Sequence, residues 1–350
     1  MKIFSTLTLF ALLGTCATKK YTEKIQILKD NIVLSDSTLI VKYANTITSK
    51  ELKKHLYKYA SDEFEGRKVG EEGQKKAAQF LSDYYISEKV ESAFGGDNYF
   101  QRIPADFFSQ NIKSSENVLA FIEGSEKPDE VLIISSHLDH LGISDDGKIN
   151  YGADDDGSGT VALMEMAQAF TLAKNDGYGP KRSILFLHLT AEEIGKKGSE
   201  YYTINPVFPL ENTIANLNID MIGRVDDIHK NNKNYIYLIG SDRLSTELHY
   251  ISEKVNKAFS NIYIDYRYNA VKERNGYYTR SDHYNFAKNG IPVIFYFNGE
   301  HDDYHKPTDT PDKIEYNLLE KRTKLIFATA WQLVNQKNRC LLDAHNKLLK

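Results

Sequence analysis

From residue 131 onward, largely apolar runs of strand length alternate with helical segments, and this alternation constrains the fold more than any other feature. The runs are 131–135, 183–189, 213–219, 235–239 and 292–297. Between them, Leu163, Met166, Ala167 and Phe170 recur at helical spacing. Residues 244–259, 282–287 and 315–334 also read as helices, with a shorter one after Glu193. A strand that is apolar on consecutive residues is covered on both faces, as in a parallel sheet reached through helical crossovers. The pattern predicts a three-layer α/β/α fold with a mostly parallel, mixed central sheet.

Upstream, Thr48-Ser49 followed by Glu51 predicts a capped helix with Leu52, Leu56 and Tyr59 on its inner face. Ala77, Phe80, Leu81 and Tyr84 predict a second helix. Gly95-Gly96 marks a turn before a strand at 99–103, and 117–122 reads as a strand that leaves through a hairpin-like turn at 124–128. No repeat or linker interrupts this stretch, so 48–350 is expected to form a single domain. Residues 17–47 are polar and β-branched without clear period, and read as a tether holding at most one short strand.

The formal net charge is -4, with basic residues scattered, which leaves no electrostatic footprint for nucleic acid. Lys2 precedes an apolar core, Ile3 to Leu13, too short to span a bilayer but suited to an export signal. It runs into Leu13-Gly-Thr-Cys16, so residues 1–16 resemble a bacterial lipoprotein signal, with Thr15 where Gly or Ala is usual. The expectation is an exported protein, periplasmic or in the outer membrane, with a lipid anchor on Cys16; the plainer alternative is a cleaved signal with an incidental cysteine. Lipidation would leave Cys340 alone, with no intrachain disulfide. A monomer is expected.

Metal-competent side chains end or interrupt the strands in five places: His137-Leu-Asp139, Asp154-Asp155-Asp156, Glu192-Glu193, Asp220, and Tyr304-His305. Singly, each has an ordinary reading as a core histidine, a turn, a helix cap or a solvated helix start. Jointly they gather carboxylates and imidazoles, the donors that suit zinc, where open α/β sheets bind ligands. The donors outnumber the positions around one tetrahedral ion, and two metals sharing a carboxylate account for the surplus.

In this order and context the series resembles the aminopeptidase Y and bacterial leucyl-aminopeptidase family of co-catalytic dizinc exopeptidases, from about Leu52 to Val334. The resemblance implies two Zn2+ ions and peptide substrates. It makes His137 a first ligand, Asp139 the carboxylate that orients it, and Asp155 the bridge between the ions, with a cis Asp155–Asp156 peptide. It makes Glu192 the general base, Glu193 a ligand of one ion, Asp220 a ligand of the other and His305 the last ligand. Tyr278 matches a tyrosine that contacts the tetrahedral intermediate, and Ser281-Asp282-His283 a recurring supporting motif. Residues 225–278 are expected to shape substrate access.

Removal of N-terminal residues from peptides is the activity expected. A carboxypeptidase or dipeptidase on the same scaffold would place Arg224, Arg274 or Arg280 to bind a free carboxylate. Glutaminyl cyclase, which uses one zinc, and a non-catalytic surface binding protein are the remaining alternatives.

Overall fold

The computed structural model describes residues 20–108 and 111–349. The signal segment and Cys16 lie outside the described residues. The expected tether is helical instead: residues 20–31 form α1, and Ser37–Ala44 form α2. Asp36 caps α2 by accepting from the Thr38 and Leu39 N–H groups. Ile40, Tyr43, Ala44 and Ile47 fall at i, i+3, i+4 and i+7, and all are buried in the main core. Tyr43 stacks on Trp331 with ring centroids 5.5 Å apart, so this segment packs as part of the domain.

Ser49–Tyr59 form α3, capped by Thr48, whose hydroxyl accepts from Glu51 N–H and donates to the Glu51 carboxylate. Its buried residues are Leu52, Leu56 and Tyr59, as the periodicity requires. Glu72–Glu88 form α4, with Ala77, Leu81, Tyr84 and Tyr85 turned inward.

The strands follow as β1 (Glu91–Ser92), β2 (Phe100–Ile103), β3 (Ser115–Ile122), β4 (Lys127–His137), β5 (Gly142–Ile143), β6 (Ile149–Asn150), β7 (Arg182–Leu189), β8 (Thr213–Ile219), β9 (Tyr235–Ile239), β10 (Tyr263–Asp265) and β11 (Val293–Phe297). Nine form one sheet in the order β1-β3-β7-β4-β8-β11-β9-β10, with β2 paired to β3; β5 and β6 form a separate ribbon. The central strands β7, β4, β8 and β11 are mutually parallel. The turn at 124–128 does not close a hairpin, because β7 inserts between β3 and β4, antiparallel to one and parallel to the other.

Helices α5 (Gly159–Asn175), α6 (Lys197–Ile204), α7 (Thr246–Phe259), α8 (His283–Lys288) and α9 (Tyr316–Asn335) complete the layers. Successive side chains of a strand point to opposite faces. Leu132 and Ile134 of β4 join the core beneath α2, α3, α4, α5, α7 and α9. Val131 and Ile133 join a second core with Tyr202 of α6 and Phe286 of α8. Both faces are therefore covered, which is why consecutive residues such as 131–134 and 184–187 are apolar, and the polar Ser135, Asn216 and Asn218 between the layers bond to one another. The registers Ser135↔Asn218, His137↔Leu189 and Tyr296↔Ile219 bring the carboxyl ends of the four parallel strands level.

Candidate metal centre

At that level edge the chain turns sharply three times. Ala191, Met221 and His305 adopt positive φ of 60°, 64° and 56°. Non-glycine residues persist in that region only where their surroundings fix them. Ala191 immediately precedes Glu192-Glu193, Met221 immediately follows Asp220, and His305 is itself a candidate ligand. The Asp155–Asp156 peptide is cis.

The turn that carries Asp155 is held by its neighbours. Asp309 accepts from the Asp154 and Asp155 N–H groups at 2.9 and 3.2 Å. Asp154 accepts from Gly223 N–H at 2.6 Å and Asn298 Nδ2 at 3.0 Å, with His301 Nε2 at 3.1 Å. Asp156 accepts from the N–H groups of His137, Gly159 and Met221 at 3.0–3.1 Å. The turn is thus tied to β4, to the residues after β8 and to the loop carrying His305.

Two donor groups meet at Asp155. His137 Nε2 lies 3.0 Å from Asp155 Oδ1 and 3.6 Å from Asp220 Oδ1. His305 Nε2 lies 3.1 Å from Asp155 Oδ2 and 3.2 Å from Glu193 Oε2. Donors around a tetrahedral zinc, at bonds of about 2.0–2.1 Å, are about 3.3 Å apart. All four separations bracket that edge. Asp155 Oδ2 is moreover buried and receives no aligned hydrogen bond, even from His305 Nε2 at 3.1 Å, which leaves its lone pairs available to a cation. The residues fit divalent cations on both sides of Asp155.

Burial disfavours charge throughout, yet the pairs override it. For His305, burial pulls the pKa down, but the contacts to Asp155 and Glu193 raise it to about 10. For Asp155, burial pushes up, and His137 and His305 bring the carboxyl well below the ordinary range. Glu192 behaves oppositely. Burial drives its carboxyl well above the usual value, reinforced by Asp282, Asp220 and Glu193 and opposed by His137.

Six of the eight expected site residues gather here: His137, Asp155, Glu192, Glu193, Asp220 and His305. Asp139 is present with its contacts rearranged. The His137 ring meets its main-chain oxygen at 3.1 Å, while the nearest carboxylate oxygen is 3.8 Å away. That carboxylate instead accepts from the N–H groups of Glu192 and Glu193 at 3.1 and 3.4 Å. Tyr278 turns aside, under the Arg243 guanidinium at 4.6 Å and against Gly240, where a Cβ would approach its ring to 2.8 Å. Its neighbour Tyr277 lines the cleft, because consecutive side chains of the tight Tyr277–Thr279 turn diverge.

The open cleft is lined by Asp155, Glu192, Asp220 and His305 together with Met221, Phe295, Phe297, Tyr277 and Tyr304, whose ring stacks on His305 at 3.8 Å. Arg280 and Glu300, paired at 2.8 Å, also line it. Within 225–278 the chain builds β9, α7 and β10, and Tyr277 of this stretch lines the cleft. Arg224 is engaged by Asp303 at 2.8 Å and lies 3.6 Å from Asp309. His140, His301 and Asp309 did not emerge from the sequence pattern. For His140 a signal was there, a second histidine in His-Leu-Asp-His.

The family model described as Peptidase family M28 matches residues 117–330. Among curated relatives, the probable glutamate carboxypeptidase LAMP1 of Arabidopsis thaliana is 36% identical over 110 residues, covering 31% of this chain and 15% of the relative. The chain thus spans a small part of that relative's length. The probable aminopeptidase YDR415C of Saccharomyces cerevisiae is 26% identical over 279 residues, 74% of this chain and 71% of that protein. Among solved structures, BSAP, a zinc aminopeptidase from Bacillus subtilis, superposes with a TM-score of 0.64 at 15% identity, covering 84% of this chain and 98% of that one.

Proposed function

The chain belongs to peptidase family M28, and from that premise we propose that it is a two-zinc aminopeptidase that releases N-terminal residues from peptides. The observation that carries the reading is the pair of donor groups sharing Asp155, spaced as tetrahedral edges. One ion would be held by His137, Asp155 and Asp220, the other by His305, Asp155 and Glu193. When bound, the ions would supply the Lewis acidity that makes water nucleophilic at neutral pH and polarises a peptide carbonyl.

The chain's own residues do the rest. Glu192 lines the cleft beside both donor groups without belonging to either. Its raised proton affinity suits a carboxylate that takes a proton from water at one oxygen and gives it to the leaving amine nitrogen. Asp139 fixes that base and Glu193 together, since one carboxylate receives both of their N–H groups. Tyr277, rather than Tyr278, is the tyrosine facing the cleft, and its hydroxyl is our candidate donor to the developing oxyanion. Met221, Phe295 and Phe297 offer an apolar floor for the side chain of the residue released.

Arg280 at the cleft favours one second reading, a dipeptidase or carboxypeptidase in which a substrate carboxylate takes the place of Glu300. Metal content measured together with hydrolysis of peptides that are free, N-blocked or C-amidated decides between them. The aminopeptidase reading expects two zinc equivalents, loss of cleavage on N-blocking and tolerance of C-amidation. Cleavage of N-blocked peptides would overturn it. Export through residues 1–16, with a lipid on Cys16, is proposed on the sequence pattern alone; labelling with a fatty-acid analogue, abolished by Cys16→Ser, tests it.

A further inference from the structure

We propose that His140 is a positioning residue that holds Glu193 so that a single carboxylate oxygen faces His305 and Asp155. The inference rests on the two-ion reading and adds a residue that this reading does not use. The two oxygens of Glu193 are divided between two histidines. Oε1 lies 2.7 Å from His140 Nδ1, and Oε2 lies 3.2 Å from His305 Nε2.

Two physical arguments decide what His140 does. A carboxylate lone pair and an imidazole lone pair cannot rest 2.7 Å apart, so a proton or a cation lies between them. Two donors of one tetrahedral ion sit about 3.3 Å apart at bonds of about 2.0–2.1 Å, and a 2.7 Å separation would close the angle at the ion to about 80°. The other donor pairs at this position are 3.1 and 3.2 Å apart, and His140 Nδ1 stands 3.8 Å from Asp155 Oδ2. The contact is therefore a hydrogen bond, with Nδ1–H donating to Glu193 Oε1.

The ring that donates is fixed from several sides. It is fully buried, its backbone N–H donates to Arg67 O at 3.2 Å, and its strand-like bridge to Lys68 sets the chain direction. Gly152, at φ +53°, lies so close that a Cβ there would sit 2.5 Å from His140 Cγ. A ring that cannot turn imposes its geometry on the carboxylate it bonds. Partners that orient ligands in this way typically contribute 10–100-fold in metal affinity.

The test titrates zinc into metal-depleted wild type, His140→Phe, His140→Asn, His137→Ala and His305→Ala with a competing chelator, and records cobalt(II) absorption spectra of each. His140→Phe should weaken one of two sites by about 10–100-fold, the same site that His305→Ala removes, and perturb only that site's cobalt bands. His140→Asn, whose amide nitrogen falls close to the former Nδ1, should recover most of the affinity. Thermal melts of the metal-free proteins should stay alike, which separates orientation from folding. Unchanged binding at both sites in His140→Phe, no recovery in His140→Asn, or weakening of the site that His137→Ala removes would each overturn the proposal. Fewer than two ions in wild type would instead overturn the two-ion reading, and the effect of His140→Phe on the remaining ion would still judge His140.

Discussion

Arg67 offers the sharpest test of how the centre is held together. Its side chain is buried, with a relative exposure of 1%. The guanidinium donates to the carbonyls of Leu138 at 3.0 Å, Tyr59 at 3.3 Å, Tyr151 at 2.8 Å and Gly152 at 2.9 Å, and it stacks over the Tyr59 ring at 4.7 Å. Leu138 directly follows His137, and Gly152 opens the turn that carries Asp155. One cation thus ties the residue after His137 to the turn that carries Asp155. Arg67→Met retains much of the apolar stem and removes every donor. Leu138 O keeps the Tyr59 hydroxyl and Gly152 O keeps Gly157 N–H. The carbonyls of Tyr59 and Tyr151 have no other donor among the described residues. A buried orphan at Tyr59 and a half-buried one at Tyr151, at up to about 1–3 kcal/mol each, with two weakened acceptors at about 0.5–1.5 kcal/mol each, sum to at most about 3–9 kcal/mol. Local relaxation recovers part of this, so a loss of about 3–5 kcal/mol is expected. Urea unfolding of metal-free protein measures it, and Arg67→Lys, lacking the planar fork, should recover little. A loss below about 1 kcal/mol, or a lysine variant as stable as wild type, would refute the reasoning.

Glu192→Gln should keep its metal content while kcat falls by about 10²–10⁴-fold, as for loss of a general base; wild-type turnover would remove Glu192 from the mechanism. His137→Ala and His305→Ala should each lose a different ion, and two full equivalents in both variants would contradict the donor assignment. Glu165 of α5 makes a separate prediction about stability. Burial, with Glu51 and Glu88 adding to it and Lys54 opposing, raises its carboxyl from 4.5 to about 8. His55 Nε2, 3.5 Å away, is itself held low by burial and adds no charge at neutral pH. The folded state therefore binds this proton more tightly than the unfolded chain, so the contribution of Glu165 to stability is full below 4.5 and declines as pH rises through about 8. Glu165→Gln should melt higher than wild type at pH 8.5 and lose that advantage near pH 4.5. An equal difference at both pH values would show that the buried carboxyl does not titrate as described.

The strands and their order of donors were legible because a covered parallel strand is largely apolar, and two of these runs lead directly into candidate ligands, 131–135 into His137 and 213–219 into Asp220. The segment before Thr48 was misjudged. Thr38, Ile40 and Val41 have the β-branched character of a strand, yet Ile40, Tyr43, Ala44 and Ile47 keep helical spacing, and packing against Trp331 decides in favour of that spacing. The hairpin expected at 124–128 failed because local turn chemistry carries no information about β7, which arrives later in the chain to separate its two strands. The supporting residues were the least visible. Arg67 ends a short 3-10 helix, Asp62–Arg67, and Asp309 and His301 sit in loops, so no period marks them, and their roles exist only once distant carbonyls and N–H groups have been brought to them.

The level edge of β7, β4, β8 and β11 has a further consequence for a chain still being synthesised. Asp155, Glu193 and Asp220 emerge well before His305, and β11, which pairs with both β8 and β9, also comes late in the chain. A nascent or truncated chain would gather the acids without their last imidazole. Two of the required pairings, β7 between β3 and β4 and β11 between β8 and β9, join segments far apart in sequence, and such contacts form slowly. If two cations bind as proposed, tight capture of the one that His305 helps to hold would depend on this late segment.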